Sequence, residues 1–367
     1  MQQYNHVIRN KVDLLNHFRS SRKLEILYQE QMKDLLEMNV PPGVWKDASN
    51  RNLLSFNQEF VQETKKFRFQ SRKIEYFYLV SYLTNLTELN LYNNKISDIS
   101  SISKLKNLKK LYLERNCIED ISALQSLHDL THLYLSYNKS TSYTLALPNL
   151  VDLELSDNKL QDKSGLQHSP KLESLNLSRT ETTDLSIIPH QLFGLKKLHL
   201  SSNNITEISY LSNFVGLQIL DLGGNEQLQN IGPLKFCTQL TQLTISETRI
   251  SDIWPLQFLK NLKTLQMTQT QVIDLHPLQN LYKLEQNKAF GACIIDVSPL
   301  SKLTQLDYLD FRNNKITNAD SLKHDNFSEY DFSDQEVPTT DKLKFYNKIL
   351  SVPTSRSENN SKISEPL

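Results

Sequence analysis

From Leu86 onward the chain repeats itself about every 22 residues, and this period constrains its folding more than any other feature. The unit reads L-x-x-L-x-L-x-x-N-x-I-x-x-I-x-x-L-x-x-L. Its first copy is filled by Leu86, Leu89, Leu91, Asn94, Ile96, Ile99, Ile102 and Leu105. The second opens at Leu108 and continues through Leu111, Leu113, Asn116, Ile118, Ile121, Leu124 and Leu127. Further copies open at Leu130, Leu150, Leu172, Leu195, Leu217, Leu240, Leu262, Leu284 and Leu306, in steps of 20 to 23 residues. One such unit cannot bury its own leucines. Copies must stack so that each covers the next, which makes a solenoid.

The spacing dictates the shape of each unit. L-x-L has period two, so it is a short strand with its leucines turned inward. The residues at the third, fifth and seventh places then face outward, on a parallel sheet expected to be concave. The ninth-place asparagine, present as Asn94, Asn116, Asn138, Asn158, Asn203, Asn225 and Asn314, turns the chain, and its amide can bond backbone groups that the turn leaves unpaired. Thr180, Thr248 and Thr270 take the same place elsewhere. The I-x-x-I-x-x-L remainder has period three, which suits a short 3₁₀ turn on the far side. Pro233, Pro255, Pro277 and Pro299 there block an α-helix interior.

With those residues in place, the sequence resembles the leucine-rich repeats of the phosphatase-1 regulatory subunit class. It is also similar to bacterial internalins, whose D-I-x-P-L wording recurs as Asp252 to Leu256 and, with valine second, as Asp296 to Leu300. The resemblance covers residues 67–336 and implies an α/β leucine-rich repeat solenoid, curved and right-handed, that binds proteins on its concave face. The first likeness implies a phosphatase catalytic subunit as partner. The second implies a secreted or surface adhesion role.

The ends of a solenoid need caps. Residues 1–66 are expected to form a helical N-terminal cap. Ile8, Val12, Leu15 and Phe18, then Leu24, Tyr28, Met32 and Leu35, fall at helical spacing. A further helix is expected from Ser49 through Leu53, Phe56, Phe60 and Val61. Phe67, Phe69, Ile74, Phe77 and Leu83 continue the repeat phase backward as a degenerate copy. At the other end Phe327, Tyr330 and Phe332 suggest a final half strand. Residues 337–367 are read as a short helix, Asp341 to Leu350, followed by a disordered tail.

Composition argues against several functions. Lys plus Arg and Asp plus Glu both number 41, so no overall charge draws the chain to nucleic acid. No apolar run reaches the roughly 18 residues of a membrane span, and the first residues lack the continuous apolar stretch of a signal peptide. Together with three widely spaced cysteines, Cys117, Cys237 and Cys293, this leads to an expectation of reduced thiols and a cytoplasmic or nuclear setting. Phosphate-binding glycine motifs, C-x-x-C and H-E-x-x-H are missing, so no enzyme, cofactor or metal is expected. His128 and His132 stand four apart but flank a strand rather than share a helix face. A monomer that binds a protein is the expectation.

The outward rows locate the candidate site. Tyr92, Tyr112 and Tyr134 fall on adjacent strands, with Tyr137 nearby and Lys110, Glu114, Arg115, His132 and Glu154 around them. Exposed tyrosines ringed by charge match the composition of interface hot spots. Tenth-repeat Asn287 and Ala289 stand where leucines belong, and the third repeat is two residues short, through Ser140 to Leu147.

Overall fold

The structure, a computed structural model, describes residues 45–48, 53–56, 63–71, 73–75, 80–81, 83–322 and 328–335. The chain divides into two compact units, residues 1–139 and 140–367.

In the first unit, β1 (Trp45–Ala48) and β2 (Leu53–Phe56) pair antiparallel, with Trp45 opposite Phe56 and Ala48 opposite Leu53. This corrects the helix expected to run from Ser49 through Leu53 and Phe56. Ser49, read as a helix start, begins the polar stretch Ser49 to Asn52 ahead of Leu53, Leu54 and Phe56, and a polar stretch before a short apolar run equally suits a hairpin. The remaining helical expectations, over residues 7–38, at Phe60 and Val61 and from Asp341 to Leu350, lie outside the described residues, as does the tail. The repeats of this unit contribute β3 (Lys66–Arg68), β4 (Glu88–Asn90), β5 (Lys110–Tyr112) and β6 (His132–Tyr134), parallel and in step. Phe67, Leu89, Leu111 and Leu133 are register partners. Phe69, Ile74 and Leu83 are buried, so the degenerate copy completes the core; Phe77 lies outside the described residues.

The second unit repeats the pattern in β7 (Asp152–Glu154), β8 (Ser174–Asn176), β9 (Lys197–His199), β10 (Ile219–Asp221), β11 (Gln242–Thr244), β12 (Thr264–Gln266), β13 (Gln286–Lys288), β14 (Tyr308–Asp310) and β15 (Glu329–Asp331). Neighbouring strands pair in parallel throughout. The expected half strand is β15, followed by buried Phe332.

Opposite the strands, every remainder but that of the third repeat forms a 3₁₀ turn among the described residues, as at Ser100–Lys104, Ser209–Asn213, Gly232–Phe236 and Trp254–Phe258. The prolines sit in the first positions of these turns, where the missing amide is not needed. A carboxylate just before most turns accepts the backbone N–H two residues on: Asp120 from Ser122, Asp252 from Trp254 and Asp296 from Ser298, at 2.8, 2.8 and 2.7 Å, with the Asn230 amide taking this role before Gly232. Such backbone bonds hold Asp120, Asp162 and Asp274 below the usual carboxylate range, and at Asp184 and Asp296 the hydroxyls of Ser186 and Ser298 contribute most.

The asparagines perform the expected task. Asn116 donates to Leu113 O of its own repeat and to Leu91 O of the preceding one, both at 3.0 Å, and accepts from Ile96 N–H at 3.0 Å. Asn225 does the same with Leu222, Leu200 and Ile205. Thr248 and Thr270 keep only the bond within the repeat, to Ile245 O and Met267 O. Gln335 takes the ninth place of the last turn with the full set of bonds, to Phe332 O, Phe311 O and Ile316 N–H.

Three departures mark the second unit. Residues 140–147 carry no 3₁₀ turn; Ser142 bridges Asp162, and the Tyr143 ring is buried. Gly165 packs there so closely that a β-carbon would stand 2.7 Å from Leu145 N and Tyr143 O. Lys163 occupies a core place that is apolar or aromatic in the other repeats, as at Ile121, Tyr143, Leu185 and Val297; it is buried, donates to Leu160 O, and burial lowers its pKa. Asn287 is fully buried on β13, yet that strand stays in register with both neighbours.

Candidate functional site

Strand alternation and the period together build the open sheet face of the first unit. Tyr112 and Tyr134 are register partners on β5 and β6. Their rings stack with centroids 4.8 Å apart and planes 7° from parallel. That separation equals the distance between strands, so the backbone sets it. The His132 ring, two residues before Tyr134, lies 6.4 Å from it and tilted. Lys110 is the register partner of both Glu88 and His132. Glu88 is buried on this face, where Arg68 at 2.9 Å and Lys66 at 3.1 Å hold its carboxyl below the usual range.

Tyr92 stands at the seventh place, two residues beyond the row of the stacked pair, so the structure separates it from that stack. Its own row continues in Glu114 and buried Ser136. One Glu114 carboxylate oxygen is buried without a hydrogen-bond partner, and burial pushes this group's pKa up. At the eighth place, along the edge of the face, the Arg115 guanidinium lies over the Tyr137 ring, 4.4 Å from its centroid. The expected residues thus fall into a stacked pair with His132, a cation–π pair at the edge, and Tyr92, Lys110 and Glu114 on the face. Glu154 lies at the fifth place of β7 in the second unit, half-buried.

The eighth place carries a feature that residue types conceal. Asn93, Arg115, Tyr137, Asp157, Arg179, Ser202, Glu247, Gln269 and Asn313 all have positive φ, between 52 and 59°. Only Gly224 and Gly291, in the same row, signal the left-handed backbone by identity.

On the second unit the same face holds another group. Lys288 lies over the Tyr308 ring at 5.1 Å. Arg312 binds both carboxylate oxygens of Asp310, at 2.9 and 2.8 Å, and lies over Phe290 at 5.3 Å. Earlier in the second unit, His199 on β9 is half-buried, and burial lowers its pKa. Among the described residues, no three His, Cys, Asp or Glu are placed to hold a metal ion, and no helix is long and apolar enough to cross a membrane. The three cysteines are free; burial raises the Cys237 thiol to about 11.

Comparison with known proteins agrees with this geometry. The family described as "Leucine Rich repeats (2 copies)" matches residues 84–126, 106–146 and 194–236, and "Leucine Rich repeat" matches 146–166. No curated protein sequence matches the chain. Among solved structures, an internalin (inlF) from Listeria monocytogenes is 30% identical, over 79% of this chain and 86% of that one, with a TM-score of 0.72. A leucine-rich repeat protein of Leptospira interrogans is 21% identical over 80% and 90%, at 0.60. A plant peptide hormone receptor, RGFR1 in complex with RGF2, is 19% identical over 74% and 55%, at 0.52.

Proposed function

Because the chain belongs to the leucine-rich repeat proteins, with repeats of the internalin type, we propose that it is a protein-interaction scaffold whose binding site is the open sheet face of the first unit. The stacked Tyr112–Tyr134 pair carries this reading. Two flat, half-exposed aromatic rings held in place by paired strands present contact area with little left to order on binding. Tyr92, Lys110, Glu114, Arg115, His132 and Tyr137 are the surrounding contacts. The role is recognition, with no catalysis, cofactor or nucleic acid assigned.

A phosphatase catalytic subunit is the first partner to test, on the likeness to the phosphatase-regulator repeats. The three free cysteines support a reducing compartment, cytoplasm or nucleus. The 30% identity to an internalin favours a second reading, surface adhesion outside the cell.

Affinity purification with the intact chain and with a Tyr92→Ala, Tyr112→Ala, Tyr134→Ala variant tests the site. Truncating a hot spot of this kind should weaken capture by about 100-fold or more. Equal recovery by a folded variant moves the site elsewhere. A recovered phosphatase subunit supports the regulatory role, and recovery of an extracellular protein alone supports adhesion.

A further inference from the structure

The convex side of the second unit carries large apolar groups that the repeat does not require. Phe236 and Trp254 are each 50% exposed, Phe258 41%. Phe236 and Phe258 hold the same place in consecutive repeats, four residues before the next leading leucine. That place is Gln191, Asn213, Asn280 and Lys302 in the neighbouring repeats. Trp254 follows its capping carboxylate by two residues, a place that Ser164, Ser186, Ser209 and Ser298 fill elsewhere. Its ring meets Phe258 edge-on, with centroids 5.1 Å apart. The 3₁₀ turns that bear Phe236 and Phe258 pack against each other, so the three rings share one surface. Phe193, 80% exposed, Val215 and Tyr282 extend it along neighbouring repeats.

At about 200 Å² per fully exposed aromatic side chain, the exposures above leave about 300 Å² of the three central rings in water, and about 600 Å² once Phe193, Val215 and Tyr282 are included. That is the upper end of what a monomer exposes, about 300–600 Å² in its largest patch. It approaches the roughly 800 Å² that each partner of a stable complex buries. The margins carry both signs: Lys235 and Lys260 are exposed, and so are Asp252 and Asp274. Two copies meeting on a two-fold axis bury the same patch from each side, so a margin that carries both lysines and aspartates can bring opposite charges together across it.

We propose that this convex surface is a homodimer interface, with a second copy of the chain as its occupant. Phe236, Trp254 and Phe258 of the two copies form its centre, and Lys235 and Lys260 of one face Asp252 and Asp274 of the other. Within the second unit these rings lie on the 3₁₀ turns, away from that unit's own strands.

Sedimentation velocity of the full chain, from about 1 to about 100 μM, tests this. The intact chain shifts toward the dimer mass as concentration rises. A Phe236→Asn, Trp254→Ser, Phe258→Asn variant takes the residues that neighbouring repeats carry and raises the dissociation constant by about 100-fold or more. A Tyr112→Ala, Tyr134→Ala variant dimerises like the intact chain. If the triple variant loses its native unfolding midpoint, Phe258→Asn alone, expected to weaken the dimer about 10-fold, decides the same question. An intact chain that stays monomeric at the highest concentration overturns the proposal. So does a folded patch variant that dimerises unchanged.

Discussion

Leu265 and Asn287 are register partners on β12 and β13, and both are fully buried. Leu265 sits in a turn whose core places are all apolar. Asn287 brings an amide into the same row, and neither its nitrogen nor its oxygen has a hydrogen-bond partner. The ladder bonds on both sides of β13 are nevertheless made. The backbone of one turn is thus set by its neighbours, and a local defect is absorbed as lost free energy rather than as a change of register.

Several substitutions would break or sharpen this contrast. Leu265→Asn places a second buried amide beside the first and should cost about 4 kcal/mol, read from urea unfolding. A cost under about 1 kcal/mol would show that the row accommodates amides generally. Asn225→Ala leaves Leu200 O, Leu222 O and Ile205 N–H without their partner, and should cost about 3 kcal/mol by the same assay. Asn287→Leu restores the apolar row and should gain about 2 kcal/mol. Loss of stability instead would mean that the space between Leu265 and Leu309 is too small for leucine. Glu247→Gly, at a left-handed position with φ 56°, should gain about 0.5 kcal/mol, since glycine removes the backbone strain but loses more entropy on folding.

Acid gives the smallest and most distributed effect. The capping carboxylates have folded pKa values below their ordinary 3.8. Their contribution is therefore complete above about pH 4 and is lost as pH falls through the folded values. The urea midpoint should hold down to about pH 5 and decline below about pH 4, with a shallower decline in an Asp120→Asn, Asp296→Asn variant.

The repeat was readable because burial demands the same residue at the same place in every turn. Leu86, Leu108 and their successors announce both the strand and its neighbour, and the ninth-place asparagines announce the turn. The hairpin Trp45–Ala48 with Leu53–Phe56 was not readable, since a short apolar run fits a helix face or a strand equally well. Lys163 went unnoticed as a core residue, because its type argues for the surface and only its phase argues otherwise. At the site, phase placed Tyr112 and Tyr134 on adjacent strands, where their rings stack. The cation–π pairing of Arg115 with Tyr137 was not legible, since phase gives the row of a residue and not the direction of its side chain. The eighth-place backbone marked residue type only at Gly224 and Gly291. The convex aromatics were hidden differently: Phe236, Trp254 and Phe258 break no rule of the repeat.

The asparagine bonds run in one direction. Each ninth-place side chain, as at Asn116 and Asn225, ties its own turn to the one before. Under mechanical load applied at the C-terminal end of a unit, each turn would be released by breaking a single asparagine set while the turns behind it keep theirs. A force–extension trace should then show a staircase with a rise of one repeat length. The lowest treads should fall at the threonine turns, where Thr248 and Thr270 lack the backward bonds.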